Sequence, residues 1–211
     1  MKCITERLQR EKERKRQEII DAAEKLFFKE GFKETSMDEI AKKAEFSKRT
    51  VYKYFDSKEE LYSAIALRGV ELFHKVIEES AAGEKNGFGK LSSIANSLIK
   101  LKNDNLNYTK VIIYFLSQAL YNNSNLENIQ NCRDMVVNIK ILVNKFIKQG
   151  IEDGSIKKDI DISRTVMSFQ TILVGMYMIN DNIFNYFTTD NITFNDIFEY
   201  NINLMLNIIK N

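Results

Sequence analysis

Arg49, Thr50, Lys53 and Tyr54 lie within one short run, SKRTVYKYF at 47–55. On a wheel of about 100° per residue these four share one arc, with Lys48 and Tyr52 on its flanks. Val51 and Phe55 fall on the opposite side, where the pattern predicts packing on Ile40, Ala41 and Ala44. A guanidinium or an ammonium suits guanine edges, and a threonine methyl or an aromatic ring suits the thymine methyl. Around this arc stand the hydroxyls of Thr35, Ser36 and Ser47 and the ammonium of Lys58, each at or near a predicted helix N-terminus. Helix N-termini offer free N–H groups and partial positive charge to phosphates. The chemistry these residues suggest is the reading of a DNA major groove.

The elements that must hold them are legible on either side. Ile19, Ala22, Ala23, Leu26 and Phe27 recur at helical spacing from Arg16 onward, and Gly31 supplies a left-handed stop. Ser36 with Glu39 forms a capping box that opens a helix through Ala44, and Ser47 caps the next. Ser57 with Glu60 repeats the box and starts a helix to about Ser80, with Leu61, Ile65, Leu72, Phe73 and Val76 turned inward. Helix, turn, helix and supporting helix thus occupy 36–55 and its flanks. Residues 1–16 are so highly charged that they read as a frayed arm or an exposed helix extension.

Charge is concentrated in this front third. Residues 1–16 hold seven Lys/Arg against three Glu, 17–41 three against seven acids, and 42–58 six against two. Two basic blocks therefore flank an acidic one, although the whole chain is only +2. The positive charge sits where a phosphate backbone would lie. At 44% hydrophobic and 28% charged, 211 residues can bury a real core. The chain has no proline, which favours long helices. Without an 18-residue apolar run or an export signal, the expectation is a cytoplasmic protein with no membrane span. Cys3 and Cys132 lie in unlike contexts and predict no disulfide.

Beyond Gly83, Gly87 and Gly89, which mark a loop and the expected hinge between modules, helices are predicted at about 89–103, 105–121, 125–150, 162–180 and 193–209. Gly150 and Gly154 close the long central one. Ser124 with Glu127 and Thr193 with Asp196 repeat the box, and Asp161 or Ser163 caps the helix between. No strand pattern of any length interrupts them, so the predicted fold is all-α with about nine helices.

The front segment resembles the TetR family of bacterial transcriptional regulators. Ile19–Phe27, Gly31-Phe32, Thr35–Ala44, Ser47–Phe55 and Ser57–Leu61 carry the likeness, over about 13–73. Two turn positions depart, with Glu45 where the family usually has Gly and Phe46 where it has Val. Arg49 also takes a place often held by Gly. The resemblance implies phosphate contacts from Thr35, Ser47, Tyr52 and Lys58, and base or groove contacts from Lys48, Arg49, Thr50, Lys53 and Tyr54. It implies a three-helix DNA-binding domain at 13–73 and a helical ligand-binding and dimerisation domain at 74–211. Two copies would pair through the helices at about 162–180 and 193–209.

Both of those helices are apolar over a wider arc than one core face needs, and Gly175 within the first suits a close approach. Tyr108, Ile112, Phe115, Met135, Met167, Gln170 and Tyr177 are the expected lining of a pocket for a small hydrophobic or aromatic effector. His74, the single histidine, and Cys132 read as structural rather than functional. The expected function is a homodimeric repressor on a palindromic, double-stranded DNA operator, released by a small molecule and needing no cofactor or metal. An activator with the same DNA head is the alternative. A helical enzyme is disfavoured, because the sequence has no catalytic constellation, metal spacing or phosphate-binding glycine loop.

Overall fold

The computed structural model describes residues 2–121, 127–179, 184, 186 and 192–211. Among them are nine helices and no strand: α1 (Lys2–Glu30), α2 (Met37–Lys43), α3 (Lys48–Val51), α4 (Lys58–Ala82), α5 (Gly87–Asp104), α6 (Leu106–Tyr121), α7 (Glu127–Glu152), α8 (Ile162–Met178) and α9 (Phe194–Ile209). An isolated antiparallel bridge joins Ile156 to Lys210. Among the described residues no helix is long and apolar enough to cross a membrane.

Local caps fix most of these boundaries. Ser36 and Glu39 satisfy each other's backbone N–H groups at the start of α2, and Thr193 and Asp196 do the same for α9. Asp161 caps α8, accepting from the Arg164 N–H at 3.0 Å. The box at α4 closes differently. The Ser57 hydroxyl accepts from the Glu60 N–H, but the Glu60 carboxylate accepts from the Asp56 N–H at 2.7 Å. Ser57 is more extended (φ −150°) than Ser36 (φ −108°), so its own N–H points away and the preceding one takes its place. The box expected at Ser124–Glu127 lies outside the described residues.

Three apolar clusters make the interior. The first gathers Ile19, Ile20, Ala23 and Phe27 of α1, Ile40 and Ala41 of α2, Val51, Phe55, and Leu61 through Val70 of α4. It also takes in Val111 of α6 and Cys132 of α7, so the front helices sit directly on the back ones. The second joins Ile77 and Ala81 of α4 to Leu91, Ile94, Phe146, Ile147, Ile156, Val166 and Ile209. The third packs Ala95 against Met176, Phe198, Ile202 and Met205. On α4 the buried residues beyond Ile65 are Ala66, Gly69, Val70, Ile77 and Ala81, whereas Leu72, Phe73 and Val76 are half-buried. Helix α4 takes part in both ends of the molecule, and packing is continuous across 73–74.

The glycine-rich corner does not behave as a hinge. Gly87 and Gly89 lie in the first turn of α5, capped by Asn86, which accepts from the Gly89 N–H at 2.7 Å. The Gly87 N–H donates to Asp153 at 2.8 Å and the Phe88 N–H to the Ser155 hydroxyl at 3.1 Å. These bonds pin the corner to the end of α7. A cluster of glycines looks like a loop in sequence, yet here it serves a close helix crossing.

Candidate nucleic-acid interface and effector cavity

The α1–α2 corner is built first. Gly31 at φ +88° ends α1, its N–H donating to Phe27 O at 3.0 Å. Lys58 then reaches back from α4, donating to the carbonyls of Phe32 (2.7 Å), Thr35 (2.9 Å) and Lys33 (3.3 Å), above the Phe32 ring at 4.5 Å. An ammonium has three protons, and three carbonyls occupy them, so Lys58 holds the corner rather than standing free towards solvent. Thr35 is also different from the expectation: it is 1% exposed and its hydroxyl donates to Gly31 O at 2.9 Å. Only its backbone remains for an outside partner. The Ser36 hydroxyl is likewise engaged, donating to Glu39 at 2.7 Å.

Helix α2 ends in a reciprocal left-handed cap. The Phe46 N–H donates to Ala41 O and the Glu45 N–H to Lys42 O, with Glu45 at φ +58°. This is the hydrogen-bond pattern that normally takes glycine at the left-handed position. A non-glycine there costs roughly 1–2 kcal/mol, so the departure noted in the sequence leaves the turn intact and strained. Glu45→Gly is expected to raise stability by about 0.5–1 kcal/mol, the relief being offset by glycine's freer unfolded chain. Removing this exposed carboxylate beside the basic block should also tighten DNA binding several-fold at low salt, with the gain fading as salt rises. Denaturant melts and duplex titrations at two salt concentrations check both effects; a less stable variant would mean that the turn prefers a side chain.

Ser47 caps α3, accepting from the Thr50 N–H at 3.1 Å and sharing a 2.8 Å bond with the Thr50 hydroxyl. Regular helix lasts only four residues. The Tyr52 N–H still reaches Lys48 O four back, but Lys53 bonds to Thr50 O and Tyr54 to Val51 O, three back. In such tight turns residues three apart eclipse one another. That turns Tyr54 partly towards the core, where it is half-buried against the first cluster. Val51 and Phe55 are both 0% exposed, as the wheel predicts. Arg49 and Lys53 are exposed, Thr50 is half-exposed, and Tyr52 is 41% exposed. Lys48 pairs with Asp38 of α2 at 2.6 Å, an exposed pair that favours its charged form first through that hydrogen bond. The outward set is therefore Arg49, Thr50, Tyr52 and Lys53.

A cavity of about 360 Å³ lies in the back of the molecule, walled by α4–α9. Ile112, Gln170 and Tyr177 line it as expected. Tyr108 and Met135 belong instead to the first cluster, Met167 is 48% exposed, and the Phe115 side chain lies outside the described residues. Helical spacing could place all of these inward without saying into which of two interior spaces. The walls are apolar but for Thr109, Lys140, Gln170 and the Tyr177 phenol. The hydroxyls of Thr109 and Tyr177 are buried without a hydrogen-bond partner among the described residues. Lys140 contacts the Met167 sulfur at 3.5 Å and forms no ion pair with a described carboxylate. Thr109 and Lys140 escape a sequence reading, because nothing local separates them from surface residues.

One polar cluster joins front to back. Arg68 of α4 pairs with Asp21 (2.6 Å) and Glu24 (3.1 Å) of α1 and donates to Gln17 at 2.7 Å. The Tyr108 hydroxyl of α6 donates to Glu24 at 2.8 Å, and its ring meets Phe28 edge-on at 5.1 Å. Burial, then this bond to Glu24, pushes the Tyr108 phenol up to about 12. Gly69 lets α6 lie against α4: a Cβ there would meet Ile112 at 2.9 Å and Tyr108 at 3.1 Å. Cys132 is 1% exposed, and burial pushes its thiol up to about 12, so it is no thiolate. His74 lies 3.4 Å from Glu78 on its own helix.

A capped helix-turn-helix that projects cations, on a helical body with an apolar cavity, defines a DNA-binding transcriptional regulator. Residues 19–65 match the family model for bacterial regulatory proteins of the tetR family, which identifies the helix-turn-helix head as a tetR-type domain. The fatty acid metabolism regulator protein of Bacillus subtilis (strain 168) is 25% identical over 82% of this chain and 88% of its own. Among solved structures, a TetR/AcrR-family regulator from Thermobifida fusca YX-ER1 aligns with a TM-score of 0.71 at 22% identity, over 91% of this chain and 96% of that one. The regulator FadR from Bacillus subtilis, solved with stearoyl-CoA, aligns at 0.67 and 20% identity over 90% and 97%. These two likenesses establish the fold.

Proposed function

We propose that this regulator is a homodimeric repressor which grips a palindromic operator with Arg49, Thr50, Tyr52 and Lys53 and lets go when an acyl-type effector fills the cavity. The observation that carries the reading is the pair Tyr108–Thr109. One residue holds Glu24 of the head, and the next is part of the cavity wall and has a buried, unpaired hydroxyl. Whatever occupies the cavity presses on the same turn of α6 that braces α1 and α4. An effector shifts such an equilibrium only through its differential affinity for the two states.

The lining argues for the effector's chemistry. Apolar walls suit a hydrocarbon chain, and the unpaired Thr109 and Tyr177 hydroxyls suit one neutral oxygen such as a thioester or ester carbonyl. Lys140, with no described carboxylate as partner, suits an anionic head group. The stearoyl-CoA in the FadR structure named above is a compound of that kind. Dimerisation is supported by α8 and α9, each with two apolar faces. On α9, Phe198, Ile202, Met205 and Ile209 are buried, while Tyr200, Leu204 and Ile208 are exposed. On α8, Val174 and Met178 are exposed beside Gly175, whose open side leaves room for a close helix approach.

A duplex enriched from genomic fragments by the purified protein tests the reading. Medium- and long-chain acyl-CoA should release it, and CoA alone should not. Thr109→Val with Tyr177→Phe should keep duplex binding and blunt the acyl response by about ten- to a hundredfold, at about 1 kcal/mol per lost hydrogen bond. Equal release by CoA alone would remove the cavity from the mechanism.

A further inference from the structure

The first helix continues well past the domain that the family model covers, which begins at residue 19. It is unbroken from Lys2 to Glu30, yet its buried residues begin only at Ile19. The side chains of residues 6–14 are exposed. At 1.5 Å per residue, the stretch before Arg16 projects roughly 20 Å beyond the head. Its foot is fixed beside the recognition segment: the Arg16 guanidinium lies 5.1 Å from the centre of the Phe55 ring. Lys15 is within electrostatic reach of Tyr54. The rod leaves the body alongside the end of the groove-reading run, at the edge of that surface.

Its composition selects the partner. Residues 1–16 carry seven cations against three glutamates. Glu11–Lys15, Arg14–Glu18 and Glu13–Arg16 pair along the helix at 2.9, 2.9 and 4.0 Å, supporting its helical state. Arg7, Arg10 and Lys12 form no ion pair with any described residue. Leu8 is the one large apolar side chain between residues 6 and 16, 62% exposed. A coiled-coil seam or a membrane-embedded face needs a repeating apolar stripe, and one leucine does not make one. A rigid cationic rod suits a polyanion.

We infer that residues 6–16 form a helical arm that lies along the DNA backbone outside the base pairs read by Arg49 and Lys53, with Arg7 and Arg10, which share one face of the helix, on phosphates. The inference rests on the DNA-binding reading above and extends the footprint of each subunit outward. Phosphate contacts add affinity and salt dependence without sequence information.

The test uses full-length protein and the enriched duplex in two lengths, one trimmed to the core site and one with ten extra base pairs on each side. Arg7→Ala/Arg10→Ala keeps good helix formers at both positions. On the long duplex this variant should lower the slope of log K against log salt by about 2, near 0.9 per phosphate, and shorten the protected region at both ends. On the trimmed duplex it should bind nearly as wild type does, and its preference for the enriched sequence over random DNA should persist. Equal slopes and footprints for the two proteins on the long duplex would overturn the arm. Failure of the wild-type protein to enrich any duplex would overturn the DNA-binding reading itself, a separate result.

Discussion

Gly87→Ala is expected to cost about 3 kcal/mol or more and to lower the melting temperature by roughly 6–12 °C for a chain of this size. A Cβ at Gly87 would fall far inside 3.0 Å of the Gly150 N and Cα and the Phe146 O, a separation that real Cβ atoms do not show. All three are backbone atoms of α7, so no side chain can turn aside. Relief requires shifting α5 against α7, which would break the Gly87–Asp153 and Phe88–Ser155 bonds at the same corner. Two companions calibrate the effect. At Gly150 the nearest atoms are the Cδ1 and Cγ1 of Ile156, a side chain that can partly adjust, and the cost should be about 1–2 kcal/mol. Gly83 has nothing within 4 Å and an ordinary right-handed φ of −81°, so Gly83→Ala should be neutral or slightly stabilising. Calorimetry on the three variants decides the matter. A Gly87→Ala protein melting with the wild type would mean that α5 and α7 are free to slide, and that the cavity between Leu91, Ile94, Val143 and Ile147 is not fixed by this crossing.

The same glycines show where a sequence reading stops. Caps are local: Ser36, Ser47, Asp161 and Thr193 each bond within three residues, so their spacing in the chain is their spacing in space. The helix bounds follow, within two residues of expectation in the back half. Gly87 is the opposite case, because its reason for being glycine lies 63 positions away at Gly150. Lys58 is similar. Its carbonyl partners are 23–26 residues off, and an ammonium near a helix start reads in sequence as a phosphate ligand. Tyr54 differs for a subtler reason. The wheel assumes 3.6 residues per turn, and a tightening within 50–54 turns that ring partly towards the first cluster, leaving it half-buried. Interior side chains were identifiable by periodicity, but their division between packed core and open cavity depends on how six helices meet.

That rotation also decides which variant isolates the DNA-reading surface. Tyr54→Ala would remove packing from the first cluster and mix loss of fold with loss of contact. Arg49 avoids this: it is exposed, and no hydrogen bond or ion pair ties it to the rest of the described chain. Arg49→Ala should therefore leave the melting curve unchanged and weaken binding to the enriched duplex by about 5- to 150-fold, the worth of one good base contact at 1–3 kcal/mol. Lys53→Ala, on the same exposed face, separates two kinds of contact. If the ammonium meets a base edge, the loss will be concentrated on the enriched sequence. If it meets a phosphate, affinity for enriched and random duplexes will fall together and the salt slope will drop by about one. Tyr54→Phe keeps the half-buried ring and removes only the phenol oxygen, so any binding loss in that variant reports a hydroxyl that reaches past the core. Full affinity in both Arg49→Ala and Lys53→Ala would leave this segment only the exposed Tyr52 and the Thr50 methyl to read DNA, since the hydroxyls at 36, 47 and 50 are already held by one another and by Glu39.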